Sequence, residues 1–235
     1  MVDTEMTFVE HLEELRKRII YSIIALIVGA SICYIFFTPL IEFIKWPLPA
    51  DLKNMQLAVL GIMQMFLIRF KLAVIGGFIL TSPFIIYQVL SFFTPALKEK
   101  ERKYTFTLLP LMVLLFLGGA AFAFFLVLPH SIAWLMGQGA GQLAFINQAD
   151  SYISFVSLFV LGFGISFEAP LVILALIKLG IVSRKQLREQ WRYAYVASFA
   201  IAAIVTPDWS IYSMSALGVA LVMLFEISLF LARWL

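Results

Sequence analysis

The chain has 235 residues, 63% of them hydrophobic and 13% charged, with a formal net charge of +3 and a mean hydropathy of +0.99. That balance excludes a water-soluble globular domain and reads as a polytopic membrane protein. One cysteine, Cys33, and two widely separated histidines, His11 and His130, leave no basis for a disulfide framework, and no metal or other cofactor is expected.

In chain order, Thr7-Phe8-Val9-Glu10 forms a capping-box pattern, and Phe8, Leu12, Leu15 and Ile19 fall on one helical face. This predicts an amphipathic helix over 7–18 leading into the first span. Its polar side carries Glu10, Glu13 and Glu14, followed by Arg16, Lys17 and Arg18 as interfacial anchors. No small-residue cleavage site follows the first apolar run, so that run is expected to stay as a span rather than act as a signal peptide. A crossing needs roughly 20 apolar residues, and spans are expected at 19–38, 62–92, 104–129, 151–177, 193–205 and 210–232, giving one all-α domain over 1–235. The fifth is short and must lean on its neighbours, whereas the long second and fourth can tilt.

Basic residues orient these spans. Arg16 to Arg18, Lys98, Lys100, Arg102, Lys103, Lys178, Arg184, Lys185, Arg188, Arg192 and Arg233 fall on one side, and only Lys45 and Lys53 lie in the opposite loops. The asymmetry places both termini in the cytoplasm. Arg69 and Lys71, one to two turns inside the second span, are expected to snorkel outward. Trp46-Pro47-Leu48-Pro49 and the Gly137 to Gly141 stretch read as turn-prone outer loops. Between these loops Met55, Met63 and Met65 flank a candidate interfacial helix, where methionine is read mainly as packing.

The costliest residue is Glu168, a carboxylate inside the apolar run 151–177 with Gly162 and Gly164 before it and Pro170 after it. An intramembrane acid is a functional hypothesis by default; burying one mid-span costs at least ~2.5 kcal/mol, and the glycines and proline weaken the helix that carries it. At about 1.5 Å per residue it lies ~15 Å from Lys178, in the cytoplasmic half of the membrane. Glu226 in the last span is at similar depth. The two acids either share a polar recess or are unrelated interfacial residues. In the loop Phe92 to Lys103, Glu99 and Glu101 sit among four bases, which keep them ionised; they either accept guanidinium groups through paired hydrogen bonds or simply relieve local repulsion. Ser166 has no base at matching depth, so catalysis is not expected. Nor is there a P-loop, a paired-half architecture or a signal for nucleic-acid binding.

Taken together, His11-Leu12-Glu13-Glu14-Leu15-Arg16-Lys17-Arg18, Thr94-Pro95-Ala96-Leu97 with Glu101-Arg102, Phe163-Gly164-Ile165-Ser166-Phe167-Glu168-Ala169-Pro170 and Leu224-Phe225-Glu226-Ile227 resemble the TatC family, the membrane receptors of the twin-arginine protein translocase. The likeness runs from about residue 8 to residue 234. It implies a concave, glove-like arrangement of six spans in the cytoplasmic membrane. The implied task is to receive twin-arginine signal peptides of folded cargo, in an oligomeric complex with single-span subunits of the TatA and TatB type, powered by the proton-motive force. The implied signal-binding residues are Glu14, Phe92 and Glu101; the intramembrane polar site is Glu168, and Pro47 is an outer-loop functional residue. Tyr212, in place of a family glutamine, and Glu226 are candidate partner contacts. Departures from the family pattern fall at Ile62 to Phe66, at Thr206-Pro207-Asp208 and at Gly218, outside the signal-binding face. Two rival functions remain, a proton-coupled solute transporter cycling Glu168 and a membrane scaffold. Glu101→Gln separates them from the receptor, which alone loses signal binding.

Overall fold

A computed structural model of the chain describes residues 8–49, 57–93, 99–138, 148–178, 180–208 and 210–233, with side chains at all of these except 8, 93 and 99–107. Thr7 of the expected capping box, Lys53, Met55, the Thr94 to Lys98 motif and Gly139 to Gly141 lie outside the described residues. Among the described residues the regular structure is helical, apart from an isolated parallel bridge between Ala58 and Gln148.

The helices are α1 (Phe8–Ile35), α2 (Phe37–Ile44), α3 (Ile62–Phe93), α4 (Glu99–Phe122), α5 (Leu128–Gly137), α6 (Ala149–Ser166), α7 (Ala169–Lys178), α8 (Arg184–Glu189), α9 (Trp191–Val205) and α10 (Ile211–Leu231). Five runs are long and apolar enough to cross a membrane: Val9–Ile35, Ile62–Phe92, Leu108–Gly137, Ala149–Lys178 and Ile211–Leu231; Trp191–Val205 is a shorter apolar helix. Their outward faces are apolar, with Ile62 98%, Ile204 83% and Ile211 80% exposed. Surfaces of that kind are stable against hydrocarbon rather than water.

Three stretches differ from the expected helices. The first run does not continue to residue 38: α1 ends at Ile35 and α2 begins at Phe37. The third run does not stop near residue 129: α4 passes through a π-helical turn at Ala123–Val127 into α5. That wider turn immediately precedes Pro129, whose ring cannot fit beneath a normal α-helical carbonyl. The fourth run, expected to be continuous over 151–177, leaves α-helical geometry at Phe167 and Glu168 and restarts at Ala169. Pro170 then occupies the first turn of α7, where its missing N–H is an orphan in any case. Met63 and Met65 belong to α3.

The chain divides into two compact units, Met1–Glu42 with Met65–Leu114, and Phe43–Gln64 with Leu115–Leu235. In the first, α1 crosses α3 at Gly29 and Gly77. A Cβ at Gly29 would lie 2.7 Å from Thr81 Cγ2 and 2.9 Å from the Gly77 carbonyl, and one at Gly77 would press on the Ala30 backbone. Small residues let backbones approach where burial against lipid offers no driving force. Pro83 interrupts α3, and Ser82 repairs the ladder: its Oγ donates to the Ile79 carbonyl at 2.8 Å, the acceptor that residue 83 can no longer serve. Arg69 has partners within the fold. Its guanidinium lies 4.1 Å from the Tyr34 ring centroid, and Nη2 donates at 3.0 Å to the Tyr34 carbonyl in the last turn of α1. A cation at a helix C-terminus opposes the dipole and caps a carbonyl that lacks an intrahelical donor.

In the second unit, Tyr152 of α6 donates its hydroxyl to the Ile44 carbonyl at the end of α2, at 2.7 Å. Phe43 stacks on Phe124 at 4.7 Å, and Trp46 meets Phe125 edge-on at 4.9 Å. Gly162, Gly164 and Gly218 are seats for neighbouring side chains: a Cβ there would come within 2.6 Å of Val205, 2.9 Å of Phe116 and 2.5 Å of Phe199. Asp208 accepts hydrogen bonds from Ser210 Oγ at 2.6 Å and Ser213 Oγ at 2.5 Å, and Ser210 Oγ caps α10 by accepting from the Ser213 backbone N–H.

Candidate functional site

In the first unit the N-terminal part of α1 and the C-terminal part of α3 share a cavity of about 420 Å³. Its wall is apolar along Leu15, Ile19, Ile23 and Leu26 of α1 and Phe78, Ile85, Val89 and Phe92 of α3, with Arg18, Ser22 and Gln88 supplying the polar contribution. Helical spacing produces this. Residues 15, 19, 22 and 26 repeat at three and four, and 78, 85, 89 and 92 at seven, four and three, so each set faces one way.

Glu14 stands one helical turn from Arg18 and is tied to it. Arg18 Nε and Nη2 both reach Glu14 Oε1, at 2.7 and 2.6 Å, and the two side chains are only 24% and 17% exposed. Arg18 Nη1 donates at 2.9 Å to Oε1 of Gln88, a buried residue of α3. Phe92, one turn further along α3, packs its ring against His11, with centroids 4.5 Å apart. Glu14 and Phe92 therefore belong to one small region built by α1 and α3. Glu101 lies in the first turn of α4, and its side chain is outside the described residues. Sequence reading missed Gln88 and treated Arg18 only as an anchor. The i,i+4 spacings of 14 with 18 and 88 with 92 were the available signal.

The remaining candidates lie in the second unit. Glu168 occupies the break between α6 and α7, where its carbonyl accepts from the N–H groups of Leu171 and Val172 at 3.0 and 3.2 Å. Both its carboxylate oxygens are buried without a hydrogen-bond partner among the described residues. A buried polar group in that condition is costly and marks a place where something else is to be met. Pro47 is buried in a turn closed by Trp46 N–H to the Phe43 carbonyl and Leu48 N–H to the Lys45 carbonyl. Tyr212 stacks on His130 at 5.1 Å.

Glu226 is already engaged. It accepts two bonds from Arg188 Nη1 at 2.9 and 2.7 Å and one from the Tyr195 hydroxyl at 2.8 Å. Together with Arg184 Nε, which donates to the Leu229 carbonyl at 3.0 Å, these bonds latch α8 and α9 to the end of α10. No hydrogen bond joins Glu226 to Glu168, whose carboxylate oxygens are without a partner among the described residues. Among the described residues no group of three His, Cys, Asp or Glu side chains is placed to hold a metal ion.

Comparison with known proteins agrees along the whole chain. Residues 10–219 match the family model for TatC, the Sec-independent protein translocase protein. The chain is 37% identical to the Sec-independent protein translocase protein TatC of Carboxydothermus hydrogenoformans, over 100% of this chain and 96% of that one. It is 39% identical to the TatC of Aquifex aeolicus, over 97% and 95%. A crystal structure described as the twin arginine translocase receptor TatC superposes with a TM-score of 0.76 at 38% identity, covering 96% of this chain and 99% of that one. A second, in the detergent DDM, gives 0.79. These relatives are membrane components of a translocase rather than catalysts, multi-pass proteins of the kind bacteria place in the inner membrane. With more than half of its length matched by the family model and relatives above 30% identity across nearly all of it, this chain belongs to the TatC family of Sec-independent protein translocases.

Proposed function

We propose that this chain is the receptor for twin-arginine signal peptides and the core subunit of a translocase for folded proteins. The observation that carries the reading is Glu14 beside a cavity whose wall is almost wholly apolar and includes Phe92. A signal peptide that places arginines ahead of an apolar stretch matches that order of groups. Glu14 and Glu101 accept the two guanidiniums through paired hydrogen bonds, and the apolar stretch begins against the α1 and α3 wall. The description of the similar crystal structure as a twin arginine translocase receptor supports this assignment.

The same reading has six spans in one domain, Trp191–Val205 being the fifth, with both termini cytoplasmic on the strength of the basic-residue asymmetry. Glu168, buried and unpartnered, offers a polar contact within the membrane to a signal peptide or to a single-span partner of the TatA or TatB type. Pro47 and Tyr212 are the proposed contacts on the opposite side. Six helices do not enclose a pore wide enough for a folded protein, so an oligomeric complex with those partners is required by size, and the proton-motive force supplies the energy.

The test is binding of a fluorescent twin-arginine signal peptide to the purified protein, beside a lysine-lysine version, with Glu14→Gln and Glu101→Gln variants. Each lost bidentate charge pair is expected to weaken binding at least tenfold, about 1.4 kcal/mol or more. Equal binding of both peptides by all three proteins refutes the site.

A further inference from the structure

The geometry points to Arg18 as a built-in occupant of the signal-peptide site: it holds Glu14 in the absence of a guest, and an incoming arginine must displace it. The inference rests on the receptor reading of Glu14 and adds a residue to it. Arg18 directs Nε and Nη2 at a single oxygen of the carboxylate, Oε1, at 2.7 and 2.6 Å. A guest guanidinium binds a carboxylate best through two parallel bonds, one to each oxygen. With Oε1 taken, a guest gains one bond at most and sets its positive charge beside that of Arg18. Full capture of the guest therefore requires Arg18 to leave.

Gln88 makes that departure workable. Its Oε1 already accepts Arg18 Nη1 at 2.9 Å from the facing helix, and Gln88 is only 4% exposed, so it is a fixed point rather than a mobile surface group. When Arg18 gives up Glu14, this bond keeps its guanidinium partnered instead of stranding a charge at the edge of an apolar cavity. Arg18, Gln88 and Phe92 all line that cavity, so the exchange takes place where the guest arrives.

Competition of this kind has a defined signature. An internal occupant lowers the affinity of every ligand that needs Glu14 Oε1 by the same factor, the fraction of time the carboxylate is free. It weakens binding of an arginine guest, which needs both oxygens, more than that of a lysine guest, which can be served by the second oxygen alone. A partly sheltered i,i+4 pair corresponds to roughly a three- to fivefold change, ~0.7–1 kcal/mol.

The experiment is peptide-binding anisotropy on the full chain in detergent. Arginine and lysine versions of the peptide are titrated into the unaltered protein and into Arg18→Gln, Arg18→Lys, Arg16→Gln, Glu14→Gln and the Arg18→Gln/Glu14→Gln double variant. Arg18→Gln is expected to tighten binding of the arginine peptide three- to fivefold with a smaller gain for the lysine peptide, and the gain should vanish when Glu14→Gln is added. Arg16→Gln removes the same charge from an exposed neighbour and is expected to give a smaller gain. Arg18→Lys keeps the charge but not the fork and is expected to fall between, which also serves if the glutamine variant does not fold. Binding that is unchanged or weaker in Arg18→Gln, or a gain matched by Arg16→Gln, overturns the inference while leaving the receptor reading intact. If Glu14→Gln alone leaves binding unaffected, the receptor reading falls, and the inference falls with it.

Discussion

Tyr152→Phe removes one oxygen atom and keeps the ring, so it isolates the bond from Tyr152 to the Ile44 carbonyl. Both residues are 7% exposed; the ring goes on filling its space and no cavity opens. What is lost is the donor to a carbonyl at the C-terminus of α2, which has no intrahelical N–H to turn to. Side-chain hydrogen bonds within membrane proteins are worth ~0.6 kcal/mol on average and ~1.7 at most. The carbonyl left buried and unpaired puts this one toward the upper end. At about 2–4 °C per kcal/mol for a chain of this size, the expected fall in Tm is ~3–7 °C. Thermal unfolding of the purified protein in detergent, followed by circular dichroism, measures it. Tyr193→Phe, at a residue 77% exposed, is the matched control. A fall no larger than that of the control would refute the claim that Tyr152 holds the end of α2.

Gly77 and Gly118 should respond oppositely to alanine. A Cβ at Gly77 would meet the Ala30 backbone, whereas one at Gly118 has nothing within 4 Å. Gly77→Ala should therefore destabilise by roughly 1–3 kcal/mol through overpacking, and Gly118→Ala should leave Tm unchanged or raise it by relieving the helix cost of glycine; thermal unfolding reads both. Ser82→Ala should cost about 1 kcal/mol with Pro83 in place. In a Pro83→Ala background the cost should nearly vanish, because residue 83 then donates to Ile79 itself, and a thermal double-mutant cycle gives the coupling directly.

Residue spacing alone marks the helices, whereas Glu14, Phe92 and Glu101 are singled out only through the family resemblance. Apolar runs announce the helices that lipid demands, and Glu168 stands out because a carboxylate is so expensive in that setting. The glycines around it were legible as special but not for the right reason. Gly162 and Gly164 read as weak points in a helix, whereas each is a seat for a side chain from elsewhere in the chain, Val205 and Phe116 respectively. Arg69 shows the same limit. Nothing local distinguishes a snorkelling arginine from one that clasps the Tyr34 carbonyl 35 residues away. Nothing local to Glu226 points to its partner Arg188, 38 positions distant. One-dimensional periodicity reports which face of a helix is buried; it does not report which other helix arrives there.

The π turn at Ala123–Val127 means that the long helix contains one residue more than an α-helical path of the same hydrogen bonding would need. Deleting any one of those five residues would let the turn close to α with little rotation of the stretch downstream, because the wide turn takes up the extra residue locally. Tolerance of a one-residue gap at this point, with His130 and Trp134 keeping the faces they present, is thus written into the helix: a place where lengths can drift between relatives without a loop to absorb the change.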